Sequence, residues 1–349
     1  MSKIKSLVRP HILALQPYSS ARDEYSGTEG VFLDANENPL GSAGASNFNR
    51  YPDPYQHKLK EKLALIKNVK PAQIFLGNGS DEAIDLLFRV FCNPNQDNII
   101  TMPPTYGMYE VSANINCVAI KKINLTPDFQ IDTEKVLAAA DQNTKLLFVC
   151  SPNNPSGNLL NRNSIEKLLQ NFKGIVVIDE AYIDFSGEES WTNSLEKYPN
   201  LIVLQTFSKA WGLAALRLGM AFSNPEIIAL INKVKPPYNI SQLTQQIVLQ
   251  SLFSEDAKNE MVAEIIKQKK ILTEELGKIS VVKKVYPSDA NYLLIKTENG
   301  KKVYDFLVEK QIIVRDRSKV ALCEGCLRIS VGTAQENKEL IAALQLYHS

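Results

Sequence analysis

The sequence predicts an α/β protein: a large domain with a mostly parallel central sheet flanked by helices, then a smaller α+β domain. Three observations predict it. From about residue 74 to 223, short apolar runs alternate with helical patterns. Three of those runs, 146–150, 175–178 and 201–204, are nearly continuous in apolar residues, as strands covered on both faces are. From about residue 260 the pattern changes to a charged helix followed by short strands and a last helix. The expected division is an N-terminal segment over 1–45 associated with the small domain, a large domain over 46–255, and a small domain over 256–349.

The elements follow in order. The first forty residues have no strong periodicity and many turn formers, and are expected to drape over the surface or join the small domain. The strand candidates of the large domain are Ile99-Ile100-Thr101 and the three apolar runs, with amphipathic segments such as 164–169 between them. In the small domain a charged helix over 261–276 leads to strand candidates at 281–285, 291–295, 312–314 and 327–331. No internal repeat or low-complexity tract interrupts this order.

The charges nearly balance, with 39 Lys and Arg against 38 Asp and Glu, so there is no basic field for nucleic acid. No window approaches the ~18 uncharged apolar residues of a membrane span. The charged start Met1-Ser2-Lys3-Ile4-Lys5-Ser6 lacks the apolar stretch of a secretory signal, so a cytoplasmic protein is expected. Cys92, Cys117 and Cys150 lie in or beside apolar runs and read as buried thiols of a reducing compartment. Cys323-Glu324-Gly325-Cys326 has metal-like spacing but no second pair, and reads instead as a tight turn before a strand. His11, His57 and His348 are poorly spaced for a metal and read as surface or loop residues, so no metal is expected.

The chemistry sits where apolar runs stop, the edge at which open α/β sheets bind ligands. The run Thr206-Phe207-Ser208-Lys209-Ala210-Trp211-Gly212-Leu213, closed by Arg217, places a lysine among hydroxyls and an arginine after a buried strand. An amine there suits a nucleophile that condenses with an aldehyde, while the hydroxyls and the arginine hold a phosphate of the same cofactor. That pairing points to pyridoxal 5'-phosphate. Gly77-Asn78-Gly79-Ser80-Asp81-Glu82 precedes a helical pattern that Ser80 or Asp81 would cap, leaving backbone N–H groups for an anion; taken alone it reads first as a simple capped turn. Ser151-Pro152-Asn153-Asn154-Pro155-Ser156-Gly157 is a turn in which Asn154, before a proline, presents its amide in a fixed direction, or simply a loop. Asp179, at the end of a buried strand, is either a helix cap or a carboxylate that keeps a pyridine nitrogen protonated, with Tyr182 three residues on.

In this order, Gly-x-Gly-Ser, Asn-Pro-x-Gly, Asp-x-x-Tyr, Ser-Lys and Arg, the motifs resemble those of fold type I aminotransferases that use pyridoxal phosphate. Arg9-Pro10, Pro17-Tyr18-Ser19-Ser20-Ala21-Arg22, Leu33-Asp34-Ala35-Asn36-Glu37-Asn38-Pro39 and Arg50-Tyr51-Pro52-Asp53-Pro54 narrow the resemblance to the histidinol-phosphate aminotransferases, nearly end to end.

The resemblance implies a role for each matching residue. Lys209 attaches the cofactor and carries the proton. Asp179 pairs with the ring nitrogen, Asn154 and Tyr182 with the ring 3-oxygen, and Tyr106 stacks on the ring. Gly79, Ser80, Asp81, Thr206, Ser208 and Arg217 surround the phosphate, which Tyr51 reaches from the second subunit of a homodimer. Tyr18, Asn36, Arg315 and Arg328 bind substrate, Arg328 taking the carboxylate of the amino-acid partner. For Lys209 to act as a base, its amine must titrate below the ordinary ~10.4; desolvation, Arg217 and attachment to the cofactor are expected to supply that. The implied reaction is a two-half transamination between L-histidinol phosphate and 2-oxoglutarate in histidine biosynthesis. An aromatic-amino-acid aminotransferase and a threonine-phosphate decarboxylase-like lyase share the cofactor residues. The chain departs from the family pattern at Ser156 for Thr, Ala215 for Gly and Trp211 for Phe. Ala215 implies that this backbone has no need of a left-handed conformation.

Overall fold

The computed structural model describes residues 4–19, 30–44 and 47–347. The chain forms two compact units, one from 1–93 with 192–255 and the other from 94–191 with 256–349.

In the first unit, β1 (Ile74–Asn78), β6 (Leu201–Thr206) and β7 (Leu218–Ser223) pair antiparallel in the order β1-β7-β6. Every residue of β6 and β7 is buried. Around these strands lie α2 (His57–Lys67), α3 (Gly79–Phe91), α7 (Pro225–Val234) and α8 (Gln242–Ser251). The amphipathic α3 buries Ala83, Ile84, Leu86, Leu87, Val90 and Phe91 on one side. The short α1 (Pro10–Ala14) is tied down at both ends of its approach: Arg9 N–H donates to Val90 O at 3.0 Å, and Lys233 Nζ to Leu13 O at 2.8 Å.

In the second unit, β2 (Asn98–Thr101), β3 (Ala119–Lys122), β4 (Thr144–Cys150) and β5 (Ile175–Asp179) form a parallel array in the order β5-β4-β2-β3. The helices α4 (Met108–Ile115), α5 (Thr133–Ala139) and α6 (Arg162–Asn171) connect them. A second, antiparallel sheet has the order β10-β11-β9-β8, from β8 (Val282–Val285), β9 (Tyr292–Thr297), β10 (Arg315–Asp316) and β11 (Cys326–Ser330). It shares a hydrophobic cluster with α9 (Glu255–Leu276), α10 (Gly300–Glu309) and α11 (Ala334–Gln345), centred on Leu272, Leu293, Ile295, Leu307, Leu327 and Leu340.

Several sequence expectations need correction. The apolar run 312–314 is not a strand; pairing begins only at Arg315, and Ile313 is exposed. Cys117 is exposed, whereas Cys92 and Cys150 are buried as expected. Cys117 lies just past the end of α4 in a left-handed conformation at φ +53°. Strand β7 was not anticipated. The Cys323–Cys326 segment is the expected turn: Cys326 N–H donates to Cys323 O at 2.9 Å, with Gly325 at φ +72°. Among the described residues no cluster of His, Cys, Asp and Glu could hold a metal, and no helix is long and apolar enough to cross a membrane. His11 and His57 are exposed; Ser20, Ala21, Arg22 and His348 lie outside the described residues.

Candidate active site

The first unit gathers the lysine and the phosphate-cradle candidates where β1 and β6 end and β7 begins. Helix α3 begins directly at Gly79, the residue after β1. Its N-cap is Asn78, so neither Ser80 nor Asp81 is the cap; both lie in the first turn. Glu82 instead reaches back, accepting from the Asn78 backbone N–H and, at 3.1 Å, from its side chain. This leaves the helix start at Gly79 and Ser80 facing the turn that carries Arg217.

Two glycines make that approach feasible. A Cβ on Gly219 would lie 2.1 Å from Ser80 N and 2.2 Å from the Gly79 carbonyl carbon, so β7 abuts the helix start only without a side chain there. Gly79 sits at φ +70°, and a Cβ on it would lie 3.0 Å from an Arg217 guanidinium nitrogen. Gly79 N–H donates to Arg217 O at 2.7 Å. Arg217 itself is left-handed at φ +53°, while Ala215 in the turn Ala214–Leu216 is not, as its side chain implied. Thr206 Oγ1 donates to Ser208 Oγ at 3.0 Å and accepts from Ser208 N–H at 3.1 Å. The hydroxyls, the helix start and the guanidinium are all group types that can bind an anion. Lys209 lies beside them on an exposed position. Trp211 is buried and packs on Phe207 with ring centroids 5.5 Å apart. Tyr51, half-exposed at 51%, stacks on Tyr238 at 4.5 Å. Tyr18 is 75% exposed, and Asn36 is exposed and left-handed at φ +54°.

The second unit gathers the ring-binding candidates at the carboxyl ends of β4 and β5. Cys150 and Asp179 are register partners, so the turn after β4 and the acid ending β5 share an edge. Asp179 is only 3% exposed. Its Oδ1 accepts from Ala181 N–H at 3.1 Å and its Oδ2 from the Tyr109 hydroxyl at 2.6 Å. The Asn154 amide nitrogen lies 3.4 Å from the Tyr182 hydroxyl, and Arg328 Nη1 donates to Asn154 Oδ1 at 2.6 Å. The Arg328 guanidinium rests over the Tyr292 ring at 5.2 Å, and Tyr182 meets the same ring edge-on at 5.1 Å. Burial pushes the Tyr182 phenol above its ordinary range, and the Arg328 charge offsets part of that rise. Ser156, fully buried, accepts from the Asn153 amide at 2.7 Å. Arg315 pairs in register with Arg328 across β10 and β11.

The motif reading missed Tyr109 and Tyr292. Both are aromatic residues fully or almost fully buried, which at sequence level read as core. Tyr109 also lies three residues after Tyr106, ordinary helical spacing.

The chain belongs to the family of class I and II aminotransferases, whose model matches residues 28–344. Its relatives narrow this further. The chain is 56% identical over 344 residues, 99% of each chain, to the histidinol-phosphate aminotransferase of Cytophaga hutchinsonii. Among solved structures it resembles the histidinol-phosphate aminotransferase from Clostridium acetobutylicum, with 27% identity, a TM-score of 0.79 and coverage of 85% of this chain and 90% of the other. It shares its fold with the histidinol-phosphate aminotransferase from Sinorhizobium meliloti, solved in complex with pyridoxal-5'-phosphate, at 24% identity, TM-score 0.79 and coverage of 89% of each chain.

Proposed function

We propose that this chain exchanges the amino group between L-histidinol phosphate and 2-oxoglutarate, a step of histidine biosynthesis, with pyridoxal 5'-phosphate as its cofactor. The observation that carries the cofactor assignment is the cradle at Gly79, where a Cβ would fill the space over which Arg217 lies. The choice of histidinol phosphate follows a relative with that substrate in its name, matched over 99% of both chains.

The cofactor, when bound, supplies an electron sink for charge developing at the substrate α-carbon. The chain's residues do the rest. Lys209 holds the cofactor through its amine and moves the proton at the α-carbon. Asp179 holds the proton on the ring nitrogen, and its burial favours a paired carboxylate. Asn154 and Tyr182 bind the ring 3-oxygen, and Tyr106 covers a ring face. Gly79, Ser80, Thr206, Ser208 and Arg217 bind the phosphate, with Asp81 in the same turn. Arg328 takes the carboxylate of glutamate, and Tyr18, Asn36 and Arg315 join it around the phosphate-bearing substrate. Tyr51 reaches the cofactor phosphate of a second subunit, so the working unit is a homodimer. In this reading 46–255 holds the cofactor, 256–349 supplies the substrate arginines, and 1–45 acts with the latter. None of the five cysteines, four of them in the second sheet's unit, forms a disulfide, which suits the reducing cytoplasm.

The test is an absorbance spectrum of the purified protein with pyridoxal phosphate, before and after L-histidinol phosphate, with Lys209→Ala alongside. The wild type should show a cofactor band that the substrate converts, and the variant neither band nor turnover. Activity of Lys209→Ala at the wild-type level sinks the reading. Faster turnover of phenylalanine, or release of carbon dioxide from threonine phosphate, would move the chain to a neighbouring activity.

A further inference from the structure

Tyr109 lies outside every motif, yet it touches two of the groups assigned to the cofactor ring. It sits in the first turn of α4, fully buried. Its ring stacks on Phe148 of β4, with centroids 4.5 Å apart and planes 13° from parallel. It makes a T-shaped contact with the Tyr106 ring, with centroids 5.5 Å apart and planes at 84°. Its hydroxyl donates to Asp179 Oδ2 at 2.6 Å. The direction of that bond is set by chemistry: an ionised carboxylate can only accept. Burial and the neighbouring Asp179 charge both push the Tyr109 phenol well above its ordinary range, so it keeps its proton. The Cys150 thiol beside it is pushed up by burial as well, and stays neutral.

We propose that Tyr109 is a positioning residue for the cofactor ring, fixing the Asp179 carboxylate with its hydroxyl and the Tyr106 ring with its own ring. This rests on the assignment of Asp179 and Tyr106 to the ring. A carboxylate at the end of a strand has a rotatable side chain, and a partner on one oxygen removes that freedom. Ala181 N–H and the Tyr109 hydroxyl hold one oxygen each, which sets the plane of the group. Phe148 belongs to β4, the neighbour of β5, so the phenol and the acid are referenced to the same pair of strands. The spacing Tyr106-Gly107-Met108-Tyr109 then places the stacking ring and the acid's clamp on one helix start.

Tyr109→Phe keeps the ring and removes only the donor. Two readouts test it, one without cofactor. In the cofactor-free protein, the carboxyl carbon resonance of Asp179, assigned by its absence from Asp179→Asn, should move in Tyr109→Phe. With cofactor, the dissociation constant for pyridoxal phosphate should rise by about tenfold, the scale of one lost hydrogen bond to a charged group, and kcat should fall more than KM changes. Phe148→Leu, which frees the ring but keeps the hydroxyl, should shift the same two readouts in the same direction by less, and serves if Tyr109→Phe does not fold. An unmoved Asp179 resonance with cofactor affinity within twofold of wild type overturns the proposal, even if thermal stability drops. A wild type that takes up no pyridoxal phosphate would overturn the functional reading instead.

Discussion

Arg328 and Asn154 are joined by a 2.6 Å hydrogen bond from the guanidinium to the amide oxygen, while the amide nitrogen of the same Asn154 lies 3.4 Å from the Tyr182 hydroxyl. One amide thus ties the arginine proposed for the substrate carboxylate to the phenol proposed for the ring oxygen. Arg328 is held from below by the Tyr292 ring, whose own hydroxyl donates to Asn153 O at 2.6 Å. The guanidinium is therefore set in place before a carboxylate arrives. Lysine would keep the charge but lose the planar two-point fork. Arg328→Lys should lower kcat/KM for glutamate by about 100-fold, the scale of one charge-assisted bidentate contact. Its affinity for pyridoxal phosphate should stay within a few-fold of wild type. Steady-state kinetics beside a cofactor titration checks this, and an equal loss in both would place Arg328 in the cofactor site instead.

The two glycines of the cradle should fail in different ways. An alanine at 219 collides with backbone at 2.1 Å, which no side-chain rotation relieves. Gly219→Ala should therefore lose about 3 kcal/mol of stability or more. Gly79→Ala faces a milder strain at φ +70°, of about 1 kcal/mol, but its methyl group meets Arg217 at 3.0 Å. Its pyridoxal phosphate affinity should fall while most of the fold survives. Gly187→Ala is the control, since Gly187 has φ +74° with open space around it. It should lose similar stability and no cofactor affinity. Thermal melts and cofactor titrations of the three variants decide it; equal affinity loss at 79 and 187 would reduce the cradle to backbone strain.

Tyr51 provides a test of the dimer. If it serves the partner's cofactor, a mixed dimer of Tyr51→Ala and Lys209→Ala chains holds one site with both defects and one with neither. Co-expression should then restore turnover that neither variant has alone. If Tyr51 serves its own chain, each site of the mixed dimer carries one defect and no turnover returns. Activity assays on the co-purified, differently tagged mixture distinguish the two.

Much of this architecture was legible because strands buried on both faces need long apolar runs, and 146–150, 175–178 and 201–204 became β4, β5 and β6. Strand β7 was not legible. Its sequence, Leu218-Gly219-Met220-Ala221-Phe222-Ser223, carries Gly and Ala, which have little strand preference of their own. Pairing with β1 on one side and β6 on the other makes it a strand. The run 312–314 erred in the other direction. Gln311 turns left-handed at φ +61°, and Val314 buries its side chain without joining a ladder. In the site, residues at strand ends could be found because a polar group there needs a reason. Tyr109 could not, because its hydroxyl's partner lies 70 residues away in the chain.

Lys60 makes the last prediction, and it concerns stability alone. It lies on α2 with 7% of its surface exposed. Burial, and then the charge of Lys235, lower its pKa to about 8. Lys235 already donates to Pro54 O, Pro236 O and Pro237 O at 3.0, 3.2 and 2.7 Å, so it keeps a charge in place nearby. Below about pH 8 the native state must hold a charge that its surroundings disfavour. Between there and the ordinary ~10.4 the unfolded chain binds the extra proton, so stability from this group rises with pH. Lys60→Met removes the charge and keeps the length. It should be more stable than wild type by about 1–2 kcal/mol at pH 7, and the advantage should shrink by pH 9.5. Urea unfolding of both proteins at the two pH values measures the difference, and an advantage that held constant or grew with pH would show that Lys60 carries no such penalty.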